Sequence, residues 1–190
     1  MRTLLFLAVV LLSAPVLGQQ VEKTKDYKVS YPVGWELKPN YLGTETMALS
    51  QLEASNDTFR ENCNTVSEAL PIKTMDASGY HQASLPAMKS QLKKFKSLAT
   101  QSLTTATGID AFVMDYRHTY GELDIFVRAT FYANAGTGYV VTCSATTDGF
   151  NRFEKIFDYV AQSFTFVSKT TKTKKTPKFK QTPKKYELKK

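Results

Sequence analysis

Apolar and polar positions alternate through most of the middle of this chain, and a period of two marks half-buried β-strands. "DYKVSYP" and "WELKP" read as strands on either side of a turn at Val33-Gly34. "TMALSQLEA" follows as a third strand, and "TFRENCNTVSEAL" as a fourth that stops at Pro71. Farther on, "SLTTAT" predicts another strand, and "AFVMDYRHTYGELDIFVRATFYANAGTGYVVTCSAT" predicts three long antiparallel ones turning near Gly121 and near Gly136 to Gly138. Alternation groups Phe112, Met114, Tyr116 and Tyr120 with Ile125, Val127, Ala129 and Phe131, and with Tyr139, Val141, Cys143 and Ala145, as one strongly apolar face. Val113, Phe126, Tyr132 and Val140 on the opposite side predict that it too is partly covered.

Two segments switch to helical spacing. In "TTDGFNRFEKIFDYVAQSF", Phe150, Phe153, Ile156, Phe157 and Val160 form one stripe that packs on the sheet, and Thr147 or Asp148 is placed to cap the start. Within "TMDASGYHQASLPAMKSQLKKFKSL", Met88, Leu92 and Phe95 form a stripe, Pro86 starts or kinks the regular part, and Lys89, Lys93, Lys94 and Lys96 read as a solvated face. Strands, a helix, a β-meander and a helix together predict an α+β fold, a mainly antiparallel β-sheet flanked by helices.

Charge separates the ends from this body. Of the net +8, the ten Lys and one Glu of residues 169–190 supply +9 and Arg2 supplies +1, so residues 19–168 carry about −2. A near-neutral fold with a basic end suggests a domain plus an electrostatic tether rather than a nucleic-acid groove. The opening, with Arg2, an apolar run from Leu4 to Leu12, Pro15, and Val16 and Gly18 before Gln19, has the layout of a signal peptide at 1–18. The run is about half the roughly 20 residues that a membrane span needs, so cleavage would leave no transmembrane segment. Three regions are expected: the signal peptide, one domain at 19–168, and a disordered Lys-rich tail at 169–190. In the tail, Lys172, Lys174, Lys175, Lys178, Lys180, Lys184 and Lys185 are candidates for contact with an anionic membrane or glycan, an acidic protein, or nucleic acid, with Phe179 and Tyr186 interleaved among the lysines.

Export gives the two cysteines a second reading. Cys63 and Cys143 fall in separate predicted strands, 80 residues apart, and in an oxidising compartment they either bridge or sit apart as buried apolar groups. A bridge closing that loop would contribute about 4–5 kcal/mol. Catalytic constellations are thin. His81 and His118 have no second His or acid at metal-ligand spacing, and no nucleophile elbow, phosphate-cradling glycine loop or calcium loop appears. Asp115, Glu122 and Asp124, near a turn, read as solvated acids rather than as a weak divalent-ion site, and Asn56-Asp57-Thr58 is a glycosylation sequon. No metal and no cofactor is expected.

Three stretches, "YPVGW" (Tyr31 to Trp35), "FRENCNTV" (Phe59 to Val66) and "FEKIFDYVAQSF" (Phe153 to Phe164), occur in an order that resembles the PsbP-like family. That family includes an extrinsic subunit of photosystem II, small exported bacterial proteins, and relatives such as a Ran-binding nuclear import factor. The resemblance spans most of residues 19–168 and implies an α/β/α sandwich with docking or stabilising rather than catalytic roles. The chain departs from the photosynthetic members in placing its basic extension at the carboxyl end. In "YPVGW", Pro32 and Gly34 make the turn and Trp35, the sole Trp, anchors the sheet edge under a helix. In "RENCN", Arg60, Glu61, Asn62 and Asn64 are densely polar for a strand, either as a brace or, for Arg60, Asn62 and Asn64, as a partner-facing surface.

The leading expectation is a secreted or periplasmic, non-catalytic binding or accessory protein. Its folded face docks a protein partner or envelope surface and its tail adds electrostatic attachment. A carrier of small molecules or lipids, using an aromatic pocket around Phe112, Tyr116 and Phe131 between sheet and helix, is the second reading. An enzyme built on Cys63 or His118 is the third.

Overall fold

The computed structural model describes residues 19–55 and 57–167. Its strands are β1 (Gln19–Lys23), β2 (Tyr27–Pro32), β3 (Glu36–Pro39), β4 (Thr46–Leu49) and β5 (Asn62–Ala69). After helix α1 (Ala77–Gln91) come β6 (Lys96–Thr104), β7 (Asp110–Tyr120), β8 (Leu123–Asn134) and β9 (Thr137–Thr146), then helix α2 (Phe150–Ser163) and the short β10 (Thr165–Phe166). All pairings are antiparallel. Seven strands form one sheet in the order β3-β4-β5-β9-β8-β7-β6, and β1, β2 and β10 form a second, smaller sheet. This is the expected α+β architecture. The Val33-Gly34 turn separates β2 from β3 as the sequence predicts, with Gly34 at φ +88°, but the two strands join different sheets.

Strand β8 is buried at every position from Ile125 to Tyr132, so the large sheet must be covered on both faces. Helix α1 covers one face, where Tyr80 and His81 lie against Met114, Val127, Ala129 and Phe131. Helix α2 and β2 cover the other, where Tyr27, Val29, Tyr31, Phe153, Phe157 and Val160 meet Tyr132, Tyr139, Val141 and Ala145. Trp35 is partly buried and packs edge-on against Phe153 of α2, ring centroids 6.3 Å apart. Arg128 of β8 ties α2 to the sheet. It donates to both carboxylate oxygens of Asp115 at 2.9 and 2.8 Å and pairs with Asp158 and Glu154 of α2.

The register overturns one expected grouping. Residues directly opposite share a face, and Phe126, Arg128, Thr130 and Tyr132 stand opposite Ala145, Cys143, Val141 and Tyr139. The inward set of β9 therefore faces α2, whereas Phe112, Met114, Tyr116, Ile125, Val127, Ala129 and Phe131 face α1. Tyr120 lies beyond the core of that face, at the end of β7, and is 68% exposed.

Helix boundaries differ as well. Asp76 caps α1 by accepting from the Gly79 amide at 2.7 Å, so the helix begins nine residues before Pro86, which does not start it. It stops at Gln91. Leu92 and Phe95 pack into the core from extended and turn backbone, and Lys93, Lys94 and Lys96 are exposed there rather than on a helical face. Neither Thr147 nor Asp148 caps α2. Gly149 takes that position, its amide donating to Thr146 Oγ1 at 3.2 Å, and a Cβ there would lie 2.7 Å from the same oxygen.

Candidate functional site

Helix α1 lies over β7 and β8, reaches β5 at its far end, where Tyr80 donates to Glu68 at 2.6 Å, and leaves the β3–β4 side and the start of β5 on the same face open. There the register brings Lys38, Met47, Leu49, Asn62, Asn64 and Ser144 to one surface, since Lys38 pairs with Met47, Leu49 with Asn62, and Asn62 with Ser144. A groove of about 430 Å³ runs over this floor, with Phe59, Arg60, Ile125 and His118 also lining it. Its walls are two turns. The β3–β4 turn contributes Tyr41 and Leu42, and the end of β7 contributes Tyr120. Eight large apolar side chains are more than a third exposed among the described residues, and three of them, Tyr41 (38%), Leu42 (76%) and Tyr120 (68%), line this one groove. Such concentration makes this groove the candidate interaction surface, which single exposed apolar residues would not.

The backbone of the β3–β4 turn is held in a costly conformation. Asn40 and Leu42 have φ of 52° and 50° and Gly43 has φ of 80°. Asn and Gly tolerate the left-handed region, but a leucine there is strained. That strain keeps a bulky apolar side chain at the tip of the turn.

The cationic rim is built by one shared carboxylate. Glu36 accepts from Arg60 Nη1 at 2.7 Å and pairs with Lys38 Nζ at 3.3 Å, and the two cations hold its carboxyl below the usual range. Two cations against one acid leave the rim with about one net positive charge. Lys38 also lies 4.9 Å from the ring centre of Tyr41. Arg60 is fixed further by donating to the carbonyls of Ser50 and Leu49. Asn62 donates to the Arg60 carbonyl at 3.1 Å. Glu61 points the other way. It is buried, accepts from Ser50 Oγ at 3.1 Å, and burial raises its carboxyl.

The solution structure of CyanoP, the cyanobacterial PsbP of Synechocystis sp. PCC 6803, matches with a TM-score of 0.58 at 17% identity, over 82% of this chain and 96% of that one. This chain has a PsbP-like fold. LpqN of Mycobacterium tuberculosis, a protein involved in cell envelope biogenesis, matches with a TM-score of 0.56 at 13% identity, over 83% of this chain and 88% of that one. PA94 of Pseudomonas aeruginosa, a protein of unknown function, gives 0.52 at 16% identity, over 76% and 94%. No protein-family model matches the chain, and no curated protein sequence matches it.

The fold brings Arg60 and Asn62 into the groove, with Asn64 beside them on the floor, Arg60 acting also as a brace. It separates Cys63 from His118. Cys63 stands opposite Cys143 in the β5–β9 register, Cα atoms 4.0 Å apart, and the two form a disulfide on the face that α2 covers, whereas His118 lies on the α1 face. The Cys63 thiol of the enzyme reading is thus consumed. The aromatic set of the carrier reading is largely packed away. Phe112 stacks on His81 at 4.6 Å, Phe131 is buried, and only Tyr116 reaches a second groove of about 480 Å³ beside α1. Asp115 belongs to the Arg128 pair, and no cluster of three metal-binding side chains occurs among the described residues. Residues 1–18, Asn56 and the tail lysines from Lys172 to Lys185 lie outside the described residues. Tyr41 and Leu42 carry no expectation in the sequence, although an apolar pair inside "NYLGT" was a usable signal.

Proposed function

We propose that this protein is an exported, non-catalytic accessory module that docks a protein partner on the open half of its sheet and uses its lysine tail for electrostatic attachment to an anionic surface. The observation that carries the reading is the convergence of Tyr41, Leu42 and Tyr120 on one groove with Lys38 and Arg60 at its rim. A partner segment that sets apolar side chains beside a carboxylate fits that chemistry. The Cys63–Cys143 disulfide and the signal-like start support export. Each tail lysine near an anionic membrane contributes on the order of 1 kcal/mol, falling with salt.

Retention of the mature chain, residues 19–190, by a native envelope fraction tests both parts. Removing residues 169–190 is expected to lower retention at low salt and flatten its salt dependence. Leu42→Asp with Tyr120→Asp is expected to abolish the retention that survives high salt. Retention of that double variant equal to the unchanged chain would refute docking through the groove, and an unaltered salt profile without residues 169–190 would refute the tail's part.

A further inference from the structure

The two edges of the large sheet are treated differently. Edge β3 has four residues, ends in Pro39, and carries Glu36 and Lys38, clamped by Arg60. Short length, proline and charge are the usual protections against pairing with another strand. Edge β6 is less protected: its charge is confined to Lys96 at its start, and one register shift, between Ser97 and Ala99, interrupts its pairing with β7. It is nine residues long, "KSLATQSLT", has no proline, and after Lys96 is uncharged to its end. Every residue from Lys96 to Ser102 is exposed, and β6 pairs only with β7, so its outer side has no strand partner among the described residues. The β-branched Thr100 and Thr104 suit a paired strand.

We infer that β6 is a self-association edge, where a second copy of this chain pairs antiparallel about a two-fold axis and joins two seven-stranded sheets into one of fourteen. With Gln101 on the axis, Thr100 meets Ser102 of the second copy and Ala99 meets Leu103, and the regular pairing ends where the register shift at Leu98 begins. The strand is complementary to itself because no pair opposes like charges. The ends are complementary too. Exposed Lys93, Lys94 and Lys96 lie at the start of β6, and exposed Asp110 stands opposite Thr104 at its finish, so antiparallel pairing sets the basic end of each copy beside the acidic end of the other. A parallel partner would stack basic end on basic end. This edge is separate from the groove on β3–β5, so either assignment can fail without the other.

Sedimentation of the full mature chain over a range of concentrations tests the assignment by charge complementation at the axis. The unchanged chain is expected to shift from monomer to dimer as concentration rises. Gln101→Lys and Gln101→Glu are each expected to remain monomeric where the unchanged chain is dimeric, because each sets a charge against itself. Their equimolar mixture is expected to recover the dimer. Gln101 is exposed, so at concentrations where all three chains are monomeric the thermal unfolding of both variants should match the unchanged chain, and amide exchange over residues 98–104 should slow with concentration only in dimerising samples. A monomer at every accessible concentration would overturn the assignment, as would single variants that dimerise like the unchanged chain or a mixture that fails to recover.

Discussion

His81 lies flat against Phe112, ring centroids 4.6 Å apart, and neither imidazole nitrogen has a hydrogen-bond partner among the described residues. Burial lowers its pKa from the ordinary 6.5, so the folded chain resists taking the proton that the unfolded chain accepts. The stability tied to neutral His81 is therefore complete above about pH 6.5 and is lost progressively as pH falls below it. His81→Phe should remove this loss. Urea midpoints from pH 8 to pH 5 should fall more steeply for the unchanged chain than for the variant, and parallel curves would contradict the assignment.

Arg128 is a buried cation between three carboxylates, two of them on α2. Arg128→Ala would leave the largely buried Asp115 without its partner, a loss of about 3–5 kcal/mol in denaturant unfolding. Arg152→Ala breaks an exposed pair with Glu53 and should cost under about 1 kcal/mol. Comparable losses would mean that the Arg128 network does not hold α2 to the sheet.

Leu42 holds a positive φ and, under the proposed docking, is also a contact. Leu42→Gly relieves the positive φ and should stabilise the fold by up to about 1 kcal/mol while reducing envelope retention. A variant both more stable and equally well retained would detach this turn from docking.

Gly138 has no room for a side chain. A Cβ would stand 2.6 Å from the Tyr80 ring and 2.7 Å from Leu70. Gly138→Ala should therefore cost about 1–3 kcal/mol by thermal or urea unfolding, through displacement of α1 from the sheet.

What could be seen in the sequence follows from where alternation survives. The aromatic stripe of α2 and the strands of the meander are legible because one face or stripe differs chemically from the other. The facing of β9 is not, since β8 is apolar on both sides and gives no phase against which β9 could be set. Phe95 keeps helical spacing from Met88 and Leu92 but sits in a turn, because it packs on Tyr116 at 5.3 Å without needing a helix. Strand β6 shows least, being small and polar on both faces, and only its final residues carry a strand signal. The groove depends on Leu42 and Tyr120, far apart in sequence and brought together by two separate turns. For the cysteines, spacing alone could not decide the bridge; the β5–β9 register does, by setting them directly opposite.

That bridge closes residues 63–143 into a covalent ring containing α1 and the strands from β6 through β8. A protease cutting once at the exposed Pro71–Thr74 stretch would release no fragment: the two pieces would travel as one molecule until a reductant met them. Outside the cytoplasm, a single nick is then a scar rather than a severance.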